Sequence, residues 1–257
     1  TVIAQTISAL FCFRKLMKMR AIFDLNKQTV RLDKNVAMRI IRLGVPSGIT
    51  QAIFSMAGMV VQTLTNSMGE MVIAANVIIM RVDGFAMMPN MTFGQAMSVY
   101  TGQNVGARKL DRVQKGVKQG LLMAVGFSTA ITLVILTFNH ILFGLFTETV
   151  ALIDLAGRMM NIMAVGYVCM AVTQVLGGVM RGAGDTTTPM WVSMISTICL
   201  RVPVAYTLAH FTASELWPNG HPFSLSTSLL VSWSMGALIS FIVYRRGKWR
   251  RLASAKL

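Results

Sequence analysis

The chain has 257 residues, 54% of them hydrophobic and 13% charged, and a formal net charge of +15. Its strongly positive mean hydropathy of +0.61 and small charged fraction exclude an ordinary soluble domain and point to a membrane protein. The basic excess does not indicate nucleic acid as a partner, because that needs an exposed basic face and here the cations sit between apolar runs.

The first apolar stretch, residues 1–13, would cover only about 20 Å as a helix, and it lacks a basic n-region and a small-residue cleavage site. It reads as the tail of a helix begun upstream, so residues 1–17 are expected to end a preceding lobe that is missing here. Residues 18–44 follow as a basic cytoplasmic linker. In its second part, KNVAMRIIRLGVP, Val36, Ile40, Ile41 and Leu43 oppose Lys34, Arg39 and Arg42, the pattern of an amphipathic helix on a membrane surface. Gly44 and Pro46 are expected to stop that helix and start the next.

Six further stretches, 46–68, 71–100, 119–138, 159–180, 190–211 and 223–244, each hold the roughly 20 residues that span about 30 Å of hydrocarbon as a helix. The expected fold is all-α: a bundle of six transmembrane helices over residues 45–257, with antiparallel neighbours joined by short connections. Of the 24 Lys and Arg, 21 fall on one side of these spans. The opposite connections carry Glu70, Glu148, Asp154 and Glu215, with Arg158 as the cation near them. By the positive-inside rule, the linker, the C-terminus and the connections 101–118 and 181–188 are expected in the cytoplasm of a multi-pass plasma-membrane protein.

The run VMRGAGDTTTPM, residues 179–190, lies in one of these connections. Gly182 or Gly184 is expected to take positive φ past a helix end, Asp185 or Thr188 to cap the next helix and Pro189 to sit in its first turn. Arg181 then complements the dipole of the preceding helix. A phosphate-binding loop would need G-x-x-x-x-G-K-[ST] after a strand, which is not the pattern here. Cys12, Cys169 and Cys199 have no paired spacing, and the glycosylation-like Asn90-Met91-Thr92 lies inside a span.

Arg81, Asp83 and Arg201 fall deep in apolar segments, where a charge costs at least about 2.5 kcal/mol and calls for a partner, cavity or function. Arg81 and Asp83, two apart on a helix, do not face each other, so Asp83 is expected to pair with Arg201 across helices. Asn76, Met80, Asp83, Met87, Asn90 and Gly94 form one semi-polar stripe at helical spacing. Gln51, Ser55, Gly58, Gln62 and Asn66 form a second, and Tyr167, Gln174, Gly178 and Arg181 a third. Such stripes either line a water-filled cavity or hydrogen-bond and pack between helices. The candidate site is drawn from them: Asp83, Arg81 and Arg201, with Gln51, Gln62, Asn66, Asn76 and Gln174. The 21 methionines fit lipid-facing filler or an adaptable binding wall. Pro89 and Pro203, close to the buried charges, permit bending. An intramembrane enzyme would need a convergent catalytic set, whereas His140 and His221 lie in outer connections and His210 at a span end.

Three turns together resemble the multidrug and toxin extrusion (MATE) transporters of the MOP flippase superfamily: RLGVPSGITQ at 42–51, TGQNVGARKLDRV at 101–113 and RGAGDTTTPM at 181–190. Their order matches the family's second half. The resemblance implies a twelve-helix antiporter of two six-helix lobes around a central cleft, this chain being the second lobe. Such a protein exports amphipathic, often cationic compounds in exchange for H⁺ or Na⁺, with no other cofactor, and the lobes rock between inward-open and outward-open states. The implied partners are those compounds, membrane lipids and the missing N-terminal lobe. Some members carry acids in the first and fourth helices of this lobe; here 46–68 and 159–180 contain none, which leaves Asp83 as the embedded carboxylate for coupling. A lipid-linked oligosaccharide flippase of related fold is the alternative, and it would want more cavity cations than Arg81 and Arg201.

Overall fold

The computed structural model describes residues 2–18 and 33–254. Two units divide the chain, Thr1–Arg42 and Leu43–Leu257. In the first, α1 (Val2–Lys18) buries none of its residues. Most of the expected linker, residues 19–32, lies outside the described residues.

One expectation about this region fails. Gly44 and Pro46 do not separate a surface helix from a span, because a single helix, α2 (Lys34–Ser67), runs through both. Proline removes one i→i−4 hydrogen bond, here to the Arg42 carbonyl, and the helix runs on through that loss. Ser47 donates to the Leu43 carbonyl at 3.1 Å and Thr50 to that of Pro46 at 2.9 Å.

The second unit continues with α3 (Glu70–Gly106), α4 (Leu110–Gly144), α5 (Val150–Ala164), α6 (Gly166–Gly182) and α7 (Thr187–Ser193). A π-helical stretch, Met194–Arg201, leads directly into α8 (Val202–Phe211), and α9 (Phe223–Arg246) and α10 (Lys248–Ser254) complete the described chain. Among the described residues five helical segments are long and apolar enough to cross a membrane; α5 and α6, bent by 43° at Val165, together make a sixth. The expected span 159–180 is therefore two helices, and the span 190–211 is α-helical only at its ends.

Helix α6 is central, packed on α3, α4 and α9. It meets α3 at backbone distance. A Cβ on Gly178 would strike the carbonyl of Gly94, and one on Gly182 the carbonyl of Ser98. In lipid, where hydrophobic burial does not drive helices together, small residues earn close packing by letting backbones touch. Large apolar side chains such as Phe85, Leu122 and Phe241 face outward, as lipid contact requires.

Two apolar clusters stack along the bundle, one around Val72, Phe143, Met160 and Tyr167, the other around Val113, Val175, Leu176 and Trp249. A polar layer separates them at the α5/α6 bend. Thr132 donates to the Ala164 carbonyl at 3.1 Å, while Ser128 and Asn90 donate to that of Tyr167 at 3.1 and 3.3 Å. The carbonyls of Ala164 and Tyr167, on either side of Val165, thus accept from α4, and from α3 and α4, respectively. Asn90, buried to 1% exposure, is a structural residue of this layer.

The turn from α6 to α7 is compact. Gly184, at φ 91°, donates to Arg181 and Asp185 to Met180, both at 2.9 Å, a Schellman ending with glycine in the left-handed position. Asp185 then accepts the Thr188 N–H at 3.1 Å and its hydroxyl at 2.7 Å. It is the expected cap. The α3/α4 turn uses the same bonds, Arg108 to Val105 at 3.0 Å and Lys109 to Asn104 at 2.8 Å, with Arg108 at φ 59° in place of glycine.

Candidate functional site

A cavity of about 550 Å³ opens among α2, α3, α6, the α7 and π-helical segment, and α9. Its wall includes Asp83, Arg201, Gln51 and Gln174, so four of the eight expected site residues converge there. Each is delivered by a different stretch of chain. Asp83 and Met87 lie on one face of α3, a turn apart, and Gln174 lies on α6 two turns beyond Tyr167. Gln51 follows the Pro46 segment of α2, and Arg201 closes the π-helical stretch.

The other four lie outside its wall. Arg81 is exposed, as its two-residue offset from Asp83 requires. Gln62 donates to Asn66 at 2.9 Å, one turn along α2. Asn76 is half-buried in the second turn of α3 and does not line the cavity.

Asp83 does not form the expected contact ion pair. Its Oδ1 accepts the Tyr167 hydroxyl at 2.9 Å, and among the described residues no salt bridge joins it to Arg201. The two side chains face the same space and interact through it. Arg201 Nε is buried without a hydrogen-bond partner. The reason is geometric: Asp83 sits against the α6 wall, whereas Arg201 projects from the π-helical wall, whose i→i+5 bonds widen the helix. Pro203 follows in the first turn of α8, which continues the π-helical stretch directly, and its ring and missing N–H disturb the helical bonding at that junction.

Tyr167 carries more of the site than its place in a semi-polar stripe revealed. Its side chain is fully buried and packs on Trp233 with ring centroids 5.5 Å apart. Gly166 makes room, since a Cβ there would lie 2.6 Å from the Trp233 ring. Arg181, which completes the third semi-polar stripe and sits in the last turn of α6, also lines the cavity. Small hydroxyls complete the polar wall: Thr173, Thr197 and Ser232, the last donating to the Ser196 carbonyl at 2.7 Å. Short hydroxyl residues give little sequence signal inside a span, because they hydrogen-bond equally well within their own helix. Met87, Met91, Met170 and Met180 supply flexible apolar wall, while Met80 and Met88 are exposed. Cys169 and Cys199 are free thiols.

The MatE family model matches residues 46–207. The probable multidrug resistance protein YoeA of Bacillus subtilis (strain 168) is 26% identical over 208 residues, which cover 80% of this chain and 45% of that protein. The probable multidrug resistance protein NorM of Thermotoga maritima is 23% identical over 231 residues, 90% of this chain and 48% of that protein. The chain spans about half the length of the curated relatives it matches. Among solved structures, the outward-facing conformation of a multidrug resistance MATE family transporter of the MOP superfamily aligns with a TM-score of 0.86 and 18% identity, over 100% of this chain and 55% of that one. A MATE crystal structure in the straight conformation aligns with a TM-score of 0.85 and 19% identity, over 100% of this chain and 56% of that one.

Proposed function

The chain belongs to the MatE family, a family of multi-pass membrane transporters, and from that premise we propose that it forms the C-terminal lobe of a secondary active multidrug efflux antiporter. The cavity wall becomes one side of a cleft whose other side belongs to an N-terminal lobe. Amphipathic compounds, cations among them, leave through it in exchange for H⁺ or Na⁺ as the lobes alternate between inward-open and outward-open states. Coupling requires that the ion favour one state over the other. Asp83 is our coupling residue.

The observation that carries this reading is the placement of Asp83: an embedded carboxylate on a cavity wall, held by one hydroxyl and otherwise facing open space. Such a group can take up and release a cation when the cleft changes exposure. The basic ends of the helices face the cytoplasm in this reading, which a C-terminal reporter fusion checks: a fluorescent protein should mature there and periplasmic alkaline phosphatase should stay inactive.

Ethidium efflux by the complete gene product carrying this chain, in a bacterial strain stripped of its own pumps, tests the function. Imposed pH and Na⁺ gradients should identify the coupling ion. Asp83→Asn should abolish gradient-driven efflux while leaving membrane levels unchanged. Efflux with undiminished gradient dependence in that variant would remove Asp83 from the mechanism, and no efflux by the parent would remove the function itself.

A further inference from the structure

The wall of the cavity carries two arginines, Arg181 and Arg201, against one aspartate, Asp83. That aspartate already accepts the Tyr167 hydroxyl. Neither arginine forms an ion pair among the described residues, and Arg201 Nε is buried with no acceptor at all. A desolvated guanidinium is stable only with a hydrogen-bonding counter-charge, and Asp83, which faces Arg201 across the cavity, forms no salt bridge with it. The surface beside them is apolar and adaptable: Phe54, Met87, Met91, Met170 and Met180.

Resting on the efflux reading above, we propose that this lobe binds the anionic end of its ligands: a carboxylate of an amphipathic compound docks on Arg201, while its apolar body lies on the methionine wall. The planar guanidinium suits a carboxylate because two parallel N–H groups meet two oxygens. Gln51 and Gln174 line the same space and add amide donors. The preferred substrates are then amphipathic acids and zwitterions, and an ammonium group, where present, is left to Asp83.

Titration of the purified complete gene product with dansyl-aminoundecanoic acid and with its methyl ester tests this, followed by dansyl fluorescence. The acid should bind about tenfold or more tighter than the ester, since esterification removes the charge and leaves the apolar body. Arg201→Gln should erase that preference by weakening the acid to about the level of the ester, and Arg201→Lys should restore part of it. Equal binding of acid and ester by the parent protein overturns the proposal. So does a preference that survives Arg201→Gln, since another group would then be holding the carboxylate. Should Arg201→Gln fail to fold, the acid and ester comparison in the parent and in Arg201→Lys still decides. Ethidium efflux keeps the two readings apart: efflux without acid preference sinks this proposal alone, and acid preference without efflux sinks the transport reading alone.

Discussion

The Tyr167 hydroxyl donates to Asp83 Oδ1 at 2.9 Å, and the main-chain carbonyl of the same tyrosine accepts from Asn90 and Ser128. One residue therefore joins the cavity to the layer that fixes the α5/α6 bend. The position of the Asp83 partner is set by the bend, and the bend by side chains on two other helices.

Tyr167→Phe keeps the ring against Trp233 and removes only the donor. Losing a hydrogen bond to a charged group costs about 1.5–3 kcal/mol, so melting in detergent should fall modestly while gradient-driven efflux falls several-fold. A variant with parental efflux and parental melting would show that the contact does nothing.

At the α3/α6 crossing, Gly178→Ala places a methyl group against the Gly94 carbonyl. The helices must separate, at about 1–3 kcal/mol for overpacking. Gly177→Ala is the matched control, because its Cβ would meet only the flexible end of Arg181, at 3.2 Å. Thermal unfolding of the two variants should differ clearly, and equal midpoints would argue against backbone contact at the crossing.

Thr132→Val and Ser128→Ala each withdraw one donor from a carbonyl at the bend. Interhelical hydrogen bonds in membranes average about 0.6 kcal/mol, so each loss should be small. Asn90 still serves the Tyr167 carbonyl after Ser128→Ala, and the Ser128 hydroxyl also bonds Asn90 Oδ1 at 3.2 Å, so the costs of Ser128→Ala and Asn90→Leu should not add. Strict additivity in unfolding measurements would mean that the two donors do not substitute for each other.

The α6/α7 turn yields the simplest test. Asp185→Ala removes the cap of α7 and should destabilise by about 1 kcal/mol, with Asp185→Asn close to the parent. Gly184→Ala forces a side chain into left-handed backbone, at about 1–2 kcal/mol. Proteolysis at this turn, followed by gel, should speed up in Asp185→Ala and Gly184→Ala; unchanged rates would deny the cap its role.

The six-span count was legible because apolar length and the alternation of basic ends are properties of whole segments. The cap at Asp185 was legible because Gly-x-x-x-Thr-Pro chemistry acts within a single turn. The break at Val165 and the π-helical stretch were not. A bend depends on donors from Asn90, Ser128 and Thr132, far away in sequence, and i→i+5 bonding leaves no periodicity short enough to read. Pro46 misled in the other direction, since a proline costs a helix one backbone hydrogen bond and a long helix can run on through that loss. For the site, charge embedded in a span located Asp83 and Arg201, but the stripe rule could not tell cavity from contact. Gln62 and Asn66 share a face of α2 with Gln51 and yet bond to each other.

The glycine crossing makes one flank of the cavity rigid, since backbone pressed on backbone leaves nothing to repack, whereas the π-helical flank and α2 present side chains and loosened turns. Variation that broadens or shifts ligand range should consequently accumulate on α2 and residues 194–201. Substitutions at Gly94, Gly178 and Gly182 should be purged for loss of folding before any change in selectivity is seen.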